Sequence, residues 1–323
     1  MPAADIVQLT FAIPTWNRAR DLERCVHSIG PQAAQWPGRV EILIADNAST
    51  DETPEVIREL QAHYPCVRHV RNAENIGPDR NYLVLFERAA GEYVWLFGDD
   101  DYLAEGALQE VLRELEEQVP DLLLVNYRFC DVDRRPDAYQ PPARSRFARN
   151  LRHLDLDSLF SRRGHWLSLI SCEVFRRACL DIDDLQRHVD VYRNWLQVYA
   201  IASVASRSRN ISALSVDAVW ARTDNSRTPL RVFYSVMPAV FTAILREVGA
   251  SVRSIRKVQE EIRRFALPVR VYVLLRMLGA EDLPEVPLRY RLVHALGGRG
   301  VIVLWKLYRY TKGRGFSLPP LPV

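Results

Sequence analysis

The chain has 323 residues, 48% of them hydrophobic, enough for one large domain, or for one domain with a substantial appendage. No run of about 18 uncharged apolar residues marks a transmembrane helix, and Met1-Pro2-Ala3-Ala4-Asp5 lacks the basic and apolar regions of a signal peptide. The net charge of +3 hides an asymmetry: residues 1–130 carry 11 Lys/Arg against 22 Asp/Glu, residues 131–323 carry 32 against 18, so an acidic part suited to a metal precedes a basic part suited to an anionic partner.

Short β-branched or aromatic runs bounded by turn residues predict strands over Val7–Pro14, Val40–Asp46, Val67–Asn72, Glu92–Phe97 and Leu122–Phe129. Amphipathic spacing between them predicts helices over Asp21–Ile29, Thr53–His63, Asp79–Ala90 and Glu105–Gln118. The alternation predicts an α/β fold, a mostly parallel sheet covered by helices on both faces. Asp131–Asn150, with Pro136, Pro141 and Pro142, reads as a loop. Trp166–Phe175 reads as a further strand, Asp184–Ser203 as one long helix and Ile211–Trp220 as extended. From Arg231 the pattern is helical with breaks, which divides the chain into 1–230 (1–130 and an acceptor-side part, 131–230) and a basic helical region, 231–323. Cys25, Cys66, Cys130, Cys172 and Cys179 form no C-x-x-C pair, and read as free thiols of a cytoplasmic protein.

Ligands of a parallel α/β sheet bind outside the carboxyl ends of its strands. Directly after the fourth strand stands Gly98-Asp99-Asp100-Asp101, three adjacent acids that repel one another unless a cation or hydrogen-bond donors neutralise them. A hard divalent cation, Mn²⁺ or Mg²⁺, suits such oxygen donors and bridges them to a diphosphate. The plainer reading is an acidic turn capping the following helix. Three other polar segments follow strand ends: Pro14-Thr15-Trp16-Asn17-Arg18, Asp46-Asn47-Ala48-Ser49-Thr50-Asp51 and Asn75-Ile76-Gly77-Pro78-Asp79-Arg80-Asn81. All four would line one crevice, with Asp46 accepting from a base N–H and Thr15 and Asn17 holding base or ribose.

Together these motifs resemble the family 2 glycosyltransferases of the GT-A fold, over about the first 130 residues. The resemblance implies a nucleotide-sugar donor contacted by Pro14, Thr15, Asn17, Arg18, Asp46, Asn47, Asn75, Gly77, Arg80 and Asp99, and a metal held by Asp100, Asp101 and Asp99. Many members read Asp-Ser-Asp-Asp where this chain has Gly98-Asp99-Asp100-Asp101. That frame makes Asp100 the main metal ligand, with Asp99 towards the ribose and Asp101 supporting; the alternative frame uses Asp99 and Asp101. The Leu96-Phe97-Gly98 variant and Leu169–Arg177 resemble a narrower, abequosyltransferase-like group that adds sugars to bacterial surface polysaccharide intermediates.

The resemblance implies inverting transfer to a saccharide or lipid-diphosphate-linked saccharide, with a carboxylate as base. The residues offer Asp190 first, then Asp184, with Asp183 and His188 beside them; for Asp183-Asp184 a helix cap is the alternative, and for His188 a packing role. Trp166 and Trp220 are candidates for sugar stacking, and Arg222, Asn225 and Arg227 for a diphosphate clamp. From Pro287 onward seven Lys/Arg and no acid stand among Val301–Trp305, Tyr308 and Tyr310, the pattern of a helix docking on the inner face of an anionic plasma membrane; a packing helix or homo-oligomer contact is the alternative. No nucleic-acid-binding motif occurs. Two other classes compete: a sugar nucleotidyltransferase, which would favour a Gly-rich phosphate loop that Pro14–Arg18 does not supply, and a non-catalytic GT-A-like glycan-binding protein.

Overall fold

The computed structural model describes residues 7–135, 147–163, 167–222 and 237–262. Contacts divide the chain into a unit ending at Ile262 and a second, Arg263–Val323, which lies outside the described residues together with everything expected of the basic tail.

The first unit opens as strand–helix alternation: β1 Leu9–Thr15, α1 Ala19–Ala33, β2 Val40–Asp46, α2 Thr53–His63, β3 Val67–Arg71, α3 Pro78–Arg88 and β4 Tyr93–Leu96. It continues with β5 Tyr102–Leu103, α4 Ala107–Gln118, β6 Leu122–Cys130, β7 Leu151–Leu154, α5 Leu156–Arg163, β8 Glu173–Arg176, α6 Ile182–His188, α7 Leu196–Arg207, β9 Ile211–Arg222 and α8 Met237–Glu247. Residues 252–262 are helical as well.

The strands form one sheet in the order β3-β2-β1-β4-β8-β6-β9-β5, with β7 alongside β9. From β3 to β4 every pairing is parallel. β2 and β4 are buried at every position, the mark of strands covered on both faces. Beyond β4 the sheet is mixed: β8 runs antiparallel to β4 and β6, and β6 and β9 pair in parallel. The chain leaves β1 for β2 and β3 on one side and returns to β4 on the other. The strand order therefore reverses between β1 and β4, and a crevice opens there at the carboxyl ends.

The helices follow their apolar stripes. Leu22, Cys25, Val26 and Ile29 of α1 are buried at helical spacing, and α1 packs on α2. α3 packs against α6 and α7. α7 is buried from Leu196 to Ala205, all round, as its sequence of Leu, Val, Ala and Ile requires. Trp195 meets Phe241 of α8 edge to face at 5.7 Å, joining α8 to the same core.

Two expected elements differ. The single helix over Asp184–Ser203 is two, because Asn194 adopts a left-handed φ of 65° and residues 189–195 turn the chain before α7 begins. The strand expected from Trp166 is a 3-10 turn over Ile170–Cys172, with strand only at Glu173–Arg176. Main-chain and side-chain atoms of Ser171 are engaged in the crevice, as described below.

Candidate active site

The plainer reading of the acidic run fails on position. Between Asp101 and α4 stands β5, whose Tyr102 and Leu103 pair with Trp220 and Val219 of β9. The capping position before α4 is taken by Gly106 in a left-handed conformation, so the acids do not cap that helix. They sit instead at the strand-order reversal, facing the end of β1. Thr15 donates from its hydroxyl to Asp99 at 2.8 Å, across the β1–β4 crevice. Nη1 of Arg18 donates to Asp100 at 2.8 Å and to Asp99 at 3.3 Å.

The three acids divide by their surroundings. Asp101 is buried and turned away from Arg18: it accepts from the Ser171 hydroxyl at 2.5 Å and from the Arg222 N–H at 3.0 Å. Ser171 also accepts from the Gly98 N–H at 2.8 Å, and its carbonyl accepts from Trp95 Nε1 at 2.9 Å. Asp101 thus ties β8 and β9 to the loop. Asp99 and Asp100, with side chains 9% and 24% exposed, face the crevice. Burial pushes the Asp99 carboxyl above the usual carboxylate range, and Asp100 beside it adds to the rise, against Arg18 and the Thr15 hydroxyl. Asp101 is pushed up likewise, by burial first and Asp100 second.

Among the described residues no group of three His, Cys, Asp or Glu side chains is arranged to hold a metal. What the crevice offers is a pair of hard oxygen donors, Asp99 and Asp100, whose crowding a cation would relieve. That donor set fits Mn²⁺ or Mg²⁺, which commonly bind through one or two carboxylates and complete their shell with phosphate and water. Gly98 has a steric reason. A Cβ there would lie 3.1 Å from oxygens of both Asp100 and Asp101 and 3.4 Å from the Ser171 hydroxyl. An acid at this position would press a fourth carboxylate onto the other three.

The remaining predicted donor residues come together, in two roles. Pro14 is half-buried at the end of β1. The Asn17 side chain accepts from the Thr50 N–H at 2.7 Å, its own N–H donates to Ser49, and the Arg18 N–H donates to Thr53, so the β1–α1 and β2–α2 loops are fastened together. Asp46 is fully buried; it pairs with Arg71 and accepts from the Ser49 N–H at 2.8 Å. Asn47 donates to Asn75 at 3.0 Å and to the Gly77 carbonyl at 3.2 Å, and accepts from the Ile76 N–H and from Asn72. Gly77 precedes α3 at a φ of 83°, which glycine adopts freely. These groups shape the walls. Thr15, Arg18, Asp99 and Asp100 are the ones whose polar atoms converge.

Of the acids offered as base, Asp190 is 56% exposed and bonded to Arg80 at 2.7 Å, with Arg193 at 3.4 Å, so it stands beside the third loop. Asp184 accepts from the Tyr199 hydroxyl at 2.8 Å and from Arg187 at 3.0 Å, which commits it to fastening α6 on α7. His188 stacks on Tyr199 at 4.3 Å and bonds Glu247, a packing role. Arg222 reaches Asp21 of α1 as well as Asp101. Trp166, Asn225 and Arg227 lie outside the described residues.

Sequence reasoning missed three contributors. Ser171 lies inside the Leu169–Arg177 stretch that carried the narrower resemblance, but nothing local marks a serine as an anchor for a loop 73 residues away. Asp79 accepts from the main-chain N–H groups of Asn194 and Leu196, capping α7 from another helix. Trp16 is 51% exposed beside Thr15, and its exposure on the motif was invisible before folding.

Residues 10–177, just over half of the chain, match the family model described as Glycosyl transferase family 2. The chain belongs to glycosyl transferase family 2. This glycosyltransferase is 42% identical over 127 residues to the abequosyltransferase RfbV of Salmonella typhimurium, a stretch covering 39% of this chain and 37% of that protein. It is 32% identical over 111 residues to the GalNAc(5)-diNAcBac-PP-undecaprenol beta-1,3-glucosyltransferase of Campylobacter jejuni, covering 34% and 35%. The matches thus span only a little over a third of each relative. In three dimensions it resembles Staphylococcus aureus TarS 1–349 in complex with UDP, with a TM-score of 0.58 at 16% identity over 97% of this chain and 94% of that one. It also resembles the mannosyltransferase PcManGT of Pyrobaculum calidifontis in complex with GDP-Man and Mn²⁺, with a TM-score of 0.56 at 17% identity over 94% and 82%. These likenesses show the GT-A fold.

Proposed function

We propose that this glycosyltransferase moves a sugar, a deoxysugar among the candidates, from a nucleotide-sugar donor to a saccharide or lipid-diphosphate-linked saccharide, in bacterial surface polysaccharide synthesis, with inversion. The observation that carries the reading is the convergence of Thr15, Arg18, Asp99 and Asp100 at the strand-order reversal. The nucleotide lies along the β1 and β2 loops, with the exposed Trp16 ring available to stack on the base. Arg18 presents a guanidinium fork to the diphosphate. Asp100 and Asp99, with Asp101 supporting them from behind, would hold a Mn²⁺ or Mg²⁺ ion, which would supply positive charge where the diphosphate gains negative charge. Asp190 takes the proton from the acceptor hydroxyl, the acceptor oxygen bonds to the anomeric carbon, and the bond from that carbon to the diphosphate oxygen breaks. The rate comes mainly from positioning and charge.

A panel of UDP-, GDP-, CDP- and dTDP-sugars, each with Mn²⁺, with Mg²⁺ and with chelator, tests the reading. One donor should turn over in the presence of a cation and stop with chelator. Binding of glycans with no turnover of any donor would favour the non-catalytic alternative. The basic tail from Pro287 suits docking on the anionic inner face of the plasma membrane, next to a lipid-linked acceptor. Removing the residues after Gly297 should lower the fraction bound to anionic liposomes, and equal partitioning would refute docking. Among the described residues no helix is long and apolar enough to cross a membrane.

A further inference from the structure

Asp99 and Asp100 already share a cation. Nη1 of Arg18 lies 2.8 Å from Oδ2 of Asp100 and 3.3 Å from Oδ1 of Asp99, bonded to both of the carboxylates that face the crevice. The backbone of Arg18 is fixed, because its N–H donates to Thr53 and the neighbouring Asn17 is bonded on both sides to the β2–α2 loop. Its side chain is about one-third exposed and has this single anchorage among the described residues. An arm fixed at its base, hydrogen-bonded at its tip among the described residues to the two acids and more weakly attracted by Asp21, can swing without breaking the bonds that hold the loop.

We infer that Arg18 is the resting counter-ion of the Asp99–Asp100 pair and must leave it before a divalent cation binds there, so that cation and donor diphosphate bind cooperatively. The inference rests on the cation site proposed above. A divalent ion bound to carboxylate oxygens sits at about 2.0–2.2 Å from them, in the space and on the lone pairs that Nη1 now uses. Two like charges so close also repel. The phosphates of the donor give the guanidinium a better partner, since its planar fork matches phosphate oxygens. Once Arg18 has turned to the diphosphate, the lone pairs it used on Asp99 and Asp100 are given up to the ion. By linkage each ligand then raises the affinity for the other. Arg18 is on this view a positioning residue that keeps the acids paired and ordered in the free protein and couples the two halves of donor binding. A merely structural Arg18 makes the opposite prediction: its removal would splay the acids and weaken cation binding.

The test is a titration of the full chain with Mn²⁺ alone, following free Mn²⁺ by electron paramagnetic resonance at constant ionic strength. Thermal melting confirms that each variant is folded. Arg18→Ala should bind Mn²⁺ about tenfold more tightly than the unaltered protein, as expected when one competing charge is removed. Arg18→Lys, which keeps the charge, should stay near the unaltered value. Arg20→Ala, which removes an exposed charge two residues away, should change the affinity by no more than about twofold. Unchanged or weaker binding by Arg18→Ala, or an equal gain from Arg20→Ala, overturns the inference. At a saturating concentration of the nucleoside diphosphate selected by the donor panel, the advantage of Arg18→Ala should shrink; an advantage that persists in full overturns the coupling. The Arg18→Ala, Asp100→Asn double variant separates the two levels. If it binds Mn²⁺ as tightly as Arg18→Ala, the ion sits elsewhere and the proposed cation site itself fails.

Discussion

Asp190 and Gly98 carry the two claims that single substitutions test. Asp190 is the acid beside the third loop, bonded to Arg80 and Arg193 rather than locked into packing. Asp190→Asn should cut transfer to acceptor by about 10²-fold or more, in line with loss of a general base, while donor affinity stays within about twofold. Transfer at the original rate would eliminate Asp190 as the base. Gly98 tests why this chain departs from the acid common in its family. Gly98→Asp should destabilise the fold by about 1–3 kcal/mol, because its Cβ meets two carboxylate oxygens and its charge joins three others. A melting temperature equal to that of the unaltered protein would show that the loop relaxes instead. Gly98 was visible in the sequence as part of a motif, whereas Asp190 was offered only as an acid within a predicted helix. Asp101 shows the limit of such motifs: identical to its neighbours in composition, it proves to be a structural tie because Ser171 and Arg222 surround it.

At the scale of elements, the acceptor side depends on helix α7 starting where it does. Asn194 is left-handed and Trp195 supplies no side-chain cap, so the first N–H groups are met by Asp79 from α3. One buried carboxylate therefore ties the third loop, which carries Asp79, to the segment that follows Asp190. Asp79→Ala should destabilise the protein by about 1–2 kcal/mol and raise the KM for acceptor more than that for donor. An equal rise in both would mean that the cap acts on the whole crevice. Local periodicity cannot reveal such a cap. The amphipathic signal runs straight through 184–203, and only a partner from over a hundred residues earlier explains the break.

Across the whole molecule, buried and half-buried acids pull the pH dependence of stability in opposite directions. Asp184 is pushed up by burial but held below the usual carboxylate range by the Tyr199 hydroxyl, His188 and Arg187. Asp51 and Asp157 are also lowered, against burial, by hydroxyl and main-chain donors, and Asp155 is lowered by Ser158. A lowered pKa gives stability that is present above the unfolded value, near pH 4, and is lost as pH falls through the folded value. Asp79, Asp99 and Asp101 are raised by burial, which outweighs the donors around each, so their penalties are relieved as pH falls through their raised values. Thermal midpoints measured from pH 7 to pH 3 should therefore rise down to about pH 5, as Asp79, Asp99 and Asp101 take up protons, and drop below about pH 4. A midpoint that kept climbing below pH 4 would contradict these assignments.

By itself the sequence determined the strand and loop framework of the first half of this glycosyltransferase. β1, β2 and β4 are short and apolar, the more polar β3 lies at the sheet edge, and all four lead into polar turns, which in a parallel sheet places four loops on one edge whatever happens elsewhere. Element identity and the crevice were legible because both follow from local pattern and strand direction. Only the tertiary structure decided which polar residue does what. Asp46 and Asn47 prove to be committed to Arg71 and to the third loop, Asp101 to Ser171, and Asp79 to α7. The same fold brings Arg18 onto Asp99 and Asp100, residues 81 and 82 positions away. A carboxylate's role depends on which donors surround it after folding. Those donors come from distant segments, so no spacing within a motif encodes them.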